Sequence, residues 1–401
     1  MSGARRRAFF ANAALALASL AVFAAGAELA ARRFDLRPAA GAALANPPWL
    51  GNRWLLRQTY RDELAQAGLL ARYYDLYEWD RYLFFRLRPN ASLDLLDVFA
   101  PPAARDRTRW SVRTNSRGFR TPEFETRPAP GRLRIAVLGD SSTFGWGVAQ
   151  SEAYPERLRA ALAERLRVAP ERIEVINLGV PGYSSFQGLA MLRRVALALA
   201  PDLVVWSYLS NDGAATGEDD LASYVRREGP VGAVLEALHA SRAFETLESW
   251  IAVARSRVHP ALPPDPRDPA QRNVPSYQVA RGNVRAAVEA AHRAGVPIAL
   301  VGQCIRGAPA QVMTEVARET GTPHLDATAL LDASLPVIAE QPGFAADRQR
   351  VAARYGASEV ASNPRLLAFL PDGCHPNPLG HRLVADALAE LLAPQLAQAK
   401  P

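Results

Sequence analysis

Five short apolar runs, at residues 133–138, 173–178, 203–209, 298–303 and 322–326, are each bounded by glycine or polar residues. Runs this short and this continuously apolar suit strands buried on both faces of a parallel sheet. The stretches between them, for example Glu156 to Arg167 and Phe186 to Leu199, repeat apolar residues at three and four positions and predict helices with one buried face. Alternation of this kind implies a parallel sheet covered by helices on both sides. A last helix is expected from Pro378 to about Leu396, with Asn377 as its cap and proline at its first position. Two longer interruptions, residues 213–280 and 333–371, read as insertions; the first holds a predicted helix from Val231 to Val258 and a proline-rich passage at 260–275. No internal repeat is visible.

With 401 residues, 49% of them hydrophobic and 22% charged, the chain has globular composition and room for a large core. The expected domain organisation is an N-terminal membrane segment at 1–33, an Ala/Pro-rich linker at 34–53, a small accessory region at 54–130, and an α/β domain at 131–401. Tyr73, Tyr74, Tyr77, Trp79, Tyr82, Phe84 and Phe85 crowd the accessory region, where packing explains them better than a glycan-binding face. Residues 108–120 alternate like a strand and turn at Asn115 and Gly118.

The net charge of +7 comes from dispersed arginine, Lys400 being the only lysine, so no basic patch argues for a nucleic-acid partner. The amino terminus is more specific. Arg5, Arg6 and Arg7 precede an uncharged stretch from Ala8 to Ala27, and twenty helical residues span about 30 Å, one hydrocarbon thickness. The arginines should stay cytoplasmic and the rest lie outside. We read the segment as an uncleaved, single-pass anchor in a bacterial inner membrane, with the α/β domain periplasmic or extracellular. The competing readings are a signal peptide cleaved after Ala25-Gly26-Ala27 and a twin-arginine signal at Arg6-Arg7.

In parallel sheets, function gathers where the strands' carboxyl ends meet a reversal of strand order. The first run ends in Gly139-Asp140-Ser141-Ser142, the second in Asn177-Leu178-Gly179-Val180-Pro181-Gly182, and the third in Ser210-Asn211-Asp212. Asp372-Gly373-Cys374-His375 precedes the last helix. In this order, and with the phrasing VINLGVPGYSSFQGL and HPNPLGH, residues 133–397 resemble the SGNH or GDSL-type serine esterases and lipases, in particular membrane-anchored bacterial members. The resemblance implies a three-layer α/β/α fold with a flavodoxin-like five-stranded parallel sheet.

It also implies roles. Ser141 would be the nucleophile, His375 its base and Asp372 the residue orienting the imidazole. The oxyanion donors would be the amides of Ser141 and Gly182 and the side chain of Asn211. Beside each role stands a plainer one. Ser141 also suits a helix cap, the two roles being compatible; Gly182 follows proline as in a type II turn; Asn211-Asp212 reads as an ordinary turn. Gly179 rivals Gly182 within its loop, and Asp212 is expected only to brace. His239, His259, His292, His324 and His381 are read as structural. Leu209 departs from the family, which often has glycine there.

Cys304 and Cys374 fall at the same sheet rim, either as a disulfide or as two small buried hydrophobes. No metal-ligand spacing or phosphate loop is present, GWG at 145–147 lacking a Walker lysine, so no cofactor or metal is expected. The expected activity is hydrolysis of an acyl ester, with a small acyl group on a carbohydrate or lipid, through an acyl-serine. An O-acyltransferase acting on envelope polysaccharide would use the same residues, and a non-catalytic envelope scaffold or glycan-binding protein would need none of them. The oligomeric state is left open.

Overall fold

In a computed structural model, residues 3–36, 76–97, 100, 102–212, 220–258 and 277–398 are described. The expected linker beyond residue 36, the aromatics Tyr73 and Tyr74, His259 and the proline-rich passage at 260–275 lie outside the described residues. An apolar helix α1 (Gly3–Arg33) opens the chain. Two antiparallel hairpins follow, β1 (Tyr77–Asp80) with β2 (Phe84–Leu87) and β3 (Ser92–Leu96) with β4 (Arg109–Arg113).

The α/β part begins with β5 (Leu133–Gly139), α2 (Ser141–Phe144), α3 (Tyr154–Leu166), β6 (Ile173–Asn177), α4 (Ser185–Met191) and β7 (Leu203–Ser207). The first insertion forms α5 (Asp220–Glu228), α6 (Pro230–His239) and α7 (Arg242–Val258). Then come α8 (Tyr277–Arg293), β8 (Ile298–Gly302), α9 (Ala308–Thr320), β9 (His324–Asp326) and α10 (Ala327–Glu340). The second insertion carries α11 (Ala345–Tyr355) and α12 (Ala357–Ser362), and α13 (Pro378–Gln398) closes the fold.

The five strands β5 to β9 make one parallel sheet in the order β6-β5-β7-β8-β9. This is the flavodoxin-like order, and strand order reverses between β5 and β7. Side chains alternate along each strand. In β5, Ala136 and Leu138 join a core with Val284 and Val288 of α8 and Met313 of α9, whereas Ile135 and Val137 join another with Leu158 of α3, Leu331 of α10 and Leu388 of α13. Both faces are therefore covered, as the continuous apolar runs require.

The hairpin aromatics Tyr77, Trp79, Phe84, Phe85 and Trp110 are buried in the first of these cores. Two bonds tie the first hairpin to the α/β part: Tyr183 Oη, in the loop after β6, donates to Phe85 O at 2.5 Å, and Gln187 Nε2, in α4, donates to Leu83 O at 3.0 Å.

Two predicted helices need correction. The single helix expected from Val231 to Val258 is broken at Ala240-Ser241, because Ser241 Oγ accepts the Phe244 N–H at 3.2 Å and starts a new helix there. The one expected from Phe186 to Leu199 is α-helical only to Met191 and continues through a wide turn, Leu192–Ala196, and a tight one, Leu197–Leu199.

Candidate active site

The loop after β5 is built around Asp140. Its carboxylate accepts the Ser142 N–H at 3.0 Å and its carbonyl accepts the Phe144 N–H at 2.9 Å, so α2 starts on Asp140. The expectation that Ser141 caps this helix is thereby corrected. Ser141 is the helix's first residue, and its hydroxyl is left for another partner: Oγ and His375 Nε2 lie 2.7 Å apart.

His375 comes from a tight loop ahead of α13. Its Nδ1 hydrogen-bonds the Asp372 carboxylate, which also accepts the amides of Cys374 at 2.9 Å and His375 at 3.0 Å. Leu370 N–H donates to His375 O at 2.7 Å, and Asn377 caps α13 by accepting the Gly380 N–H at 2.9 Å. The three-residue spacing of Asp372 and His375 thus places both in one folded loop. Burial works against a charged imidazolium, but the Asp372 carboxylate outweighs it, helped by Asp140 and Asp97, and holds His375 above the ordinary histidine value. Burial likewise disfavours the Asp372 charge, yet His375 and the two loop amides bring it below the ordinary carboxylate value.

The loop after β6 separates the two candidate glycines. Gly179 N–H donates to Asn177 Oδ1 at 2.9 Å, and a Cβ on Gly179 would lie 2.5 Å from the Phe144 nitrogen. That glycine lets two backbones approach, and its amide is already committed. Gly182 has φ +88°, and its N–H meets no acceptor among the described residues. Asn211, after β7, donates from Nδ2 to Tyr183 O at 3.0 Å, which fixes its carboxamide beside Gly182.

Around these groups lie braces that the sequence reading left unassigned. Asn177 Nδ2 donates to Thr143 O at 3.0 Å, tying β6 to α2. Ser210 Oγ donates to the buried Asp140 carboxylate, tying the Asn211 loop to the Ser141 loop. Asp140 stands above the ordinary carboxylate value through burial, opposed by its bonds from Ser210 and Ser142. A polar residue at a strand end was the only sequence signal for either. Asp212 braces the start of α4 by accepting Ser185 N–H at 2.9 Å and Ser185 Oγ at 2.5 Å. Leu209 is buried and held at φ +95°, a conformation that explains why glycine suits this place.

Cys304, in the loop after β8, is bonded to Cys374, with Cα atoms 4.8 Å apart, within the usual span of a disulfide. The bond joins the loop carrying Asp372 and His375 to the neighbouring strand end. Cys304, Cys374 and His375 also form the one His/Cys/Asp/Glu group among the described residues whose ligand atoms cluster as a metal site would. Their sulfurs are bonded to each other and the imidazole is taken by Asp372 and Ser141, so the set does not fit an ion. Elsewhere His381 accepts the Tyr154 N–H at 3.2 Å, and His239 stacks on Trp79 with ring centres 4.9 Å apart. His324 and His292 lie in β9 and α8.

The family signature of GDSL-like lipases and acylhydrolases matches residues 137–383, more than half of the chain. The chain belongs to the GDSL-like lipase/acylhydrolase family. It is accordingly an ester-hydrolysing enzyme. A search of curated proteins finds no match. Solved structures similar to this GDSL-family chain include a lipolytic protein of the G-D-S-L family from Desulfitobacterium hafniense, 14% identical, covering 65% of this chain and 100% of that one, with TM-score 0.34. An acetylxylan esterase from Geobacillus stearothermophilus is 15% identical over 66% of this chain and 96% of its own, with TM-score 0.36. TesA is 16% identical over 67% and 100%, with TM-score 0.35.

Proposed function

We propose that Ser141, His375 and Asp372 act as the triad of an extracytoplasmic serine esterase. The observation that carries this reading is the unbroken hydrogen-bonded chain from the Ser141 hydroxyl through both imidazole nitrogens to the Asp372 carboxylate. In the acylation step Ser141 Oγ bonds to the ester carbonyl carbon while its proton passes to His375 Nε2. Asp372 stabilises the imidazolium and keeps Nδ1 as the protonated nitrogen. The oxyanion is held by the amides of Ser141 and Gly182 and by Asn211 Nδ2. Collapse expels the alcohol, which takes the proton from His375. Water then attacks the acyl-serine with His375 again as base, releasing the acid and restoring Ser141.

The substrate proposed is a small acyl group on a carbohydrate or lipid. Helix α1 supports the location: Arg5–Arg33 is apolar and long enough to cross a membrane, and its most apolar 18-residue stretch is not buried. Arg5 to Arg7 would hold its start in the cytoplasm, placing residues after α1 outside an inner membrane.

The test uses the full chain in detergent. Wild type should hydrolyse p-nitrophenyl acetate and be labelled by a fluorophosphonate, and Ser141→Ala should lose both. Labelling that persists in the variant removes Ser141 as the nucleophile. Acyl transfer to an added glycan, followed by mass, would instead make the enzyme a transferase.

A further inference from the structure

The turn that follows Ser141 is held from outside the α/β part by a buried arginine. Arg120 Nη1 donates to Phe144 O at 3.0 Å and Gly145 O at 2.6 Å, and Nη2 donates to Val148 O at 2.7 Å and Ser111 O at 2.9 Å. One guanidinium therefore takes carbonyls on both sides of the Gly145-Trp146-Gly147 turn and ties them to β4. Arg354 takes the Gly147 carbonyl between them, at 2.6 Å. The approach is close: a Cβ on Gly145 would stand 3.0 Å from Arg120 Nη1 and 2.6 Å from the Ala153 side chain.

The guanidinium is also packed against aromatic rings, 5.0 Å from the centre of Phe144 and 5.3 Å from that of Trp110. Phe144 is the last residue of α2, a single turn whose first residue is Ser141. Trp146 lies in the clamped turn, with its ring centre 6.4 Å from that of His375. A one-turn helix has few internal bonds to set its own direction, because the carbonyls of its last turn have no partner within it. Here Arg120 supplies partners for that end.

We propose that Arg120 is a positioning residue for acylation: it fixes α2 and the turn after it, and through them the Ser141 hydroxyl against His375. The inference rests on Ser141 being the nucleophile. Only a planar fork with five donors can take four carbonyls at once, so lysine is not an equivalent replacement.

Arg134 provides the control. It too is fully buried, donating from Nη1 to Thr126 O at 2.9 Å and Leu199 O at 2.6 Å and from Nη2 to Glu125 O at 2.8 Å. It stands near the amino end of β5, away from Ser141. Full-length Arg120→Lys and Arg134→Lys are compared in detergent by thermal midpoint, fluorophosphonate inactivation rate, and kcat and KM per labelled site.

Both should lose thermal stability. Arg120→Lys should also lose about tenfold or more in kcat and in inactivation rate with KM little changed, since small displacements of reacting groups cost on the order of a hundredfold. Arg134→Lys should keep kcat. Wild-type kcat in folded Arg120→Lys, or an equal loss in both variants, overturns the inference. If Arg120→Lys does not fold, Trp110→Leu opens one side of the slot while keeping the guanidinium. It should lower kcat at unchanged KM, and an unchanged kcat again overturns the inference. Ser141→Ala separates the two levels: activity in that variant removes the nucleophile itself, whereas its inactivity beside a fully active Arg120→Lys removes only the role of Arg120.

Discussion

At the scale of single residues, His375 and Asp372 make opposite demands on pH. A raised histidine pKa stabilises the fold fully below the unfolded value and loses that contribution as pH rises through the folded one. The lowered Asp372 pKa contributes above its unfolded value and is lost as pH falls through the folded one. The pair therefore stabilises most between roughly pH 4 and 6.5. Catalysis needs neutral His375 and lies above that window, so kcat/KM should fall on acidification at a pH above the ordinary histidine value. In Asp372→Asn, kcat should drop by about four orders of magnitude as the favoured tautomer is lost. The acid limb of its pH profile should also move to lower pH; a limb that stays in place would mean that Asp372 does not set the His375 pKa. That Ser141, Asp372 and His375 would meet at one sheet edge was legible in the sequence, through the order of motifs shared with the family. Asp140 as the cap was not, because serine and aspartate side by side satisfy the same capping rule and only geometry chooses between them.

At the scale of elements, β5 to β8 were legible because burial on both faces leaves a short apolar run, whereas β9 at the sheet edge is half-buried and carries one apolar residue, Leu325. Helix ends in the first insertion were less so. Gly229-Pro230 marks the start of α6 openly, whereas the break at Ser241 depends on a cap contact. The loop carrying Asp372 and His375 depends on a partner distant in sequence. Cys304 and Cys374 are 70 residues apart, and closing a loop of that length in the unfolded chain is worth about 4 kcal/mol in the chain-entropy account. Cys304→Ser with Cys374→Ser should lower the free energy of unfolding by an amount of that order, read by denaturant titration. Alkylation of unfolded wild type should add mass only after reduction. Equal masses with and without reductant would show that the bond does not form.

At the scale of the whole molecule, the two helical layers followed from the alternation of runs and the sheet order from the family resemblance, but the joining of the parts did not. The hairpins share a core with the sheet through aromatics whose partners lie about a hundred residues away, as with Phe85 and Tyr183. Helix α1 is joined to the first insertion by polar contacts. Glu28, near the end of α1, accepts Ser241 Oγ at 2.8 Å and the Ala243 N–H at 3.0 Å, and Arg242 donates to Asp35 at 2.6 Å. Helix α1 thus caps α7, and although Ala31 is buried, none of its described residues joins either of the two hydrophobic cores. Removal of residues 1–36 should consequently release the protein from the membrane fraction, keep kcat toward p-nitrophenyl acetate, and cost about 1 kcal/mol of stability as α7 loses its cap. The intact mass of the full-length product in membranes tests the anchor itself. Retention of the arginine cluster and the apolar stretch is expected; a mature protein beginning at Glu28 would show that the segment is a cleaved signal.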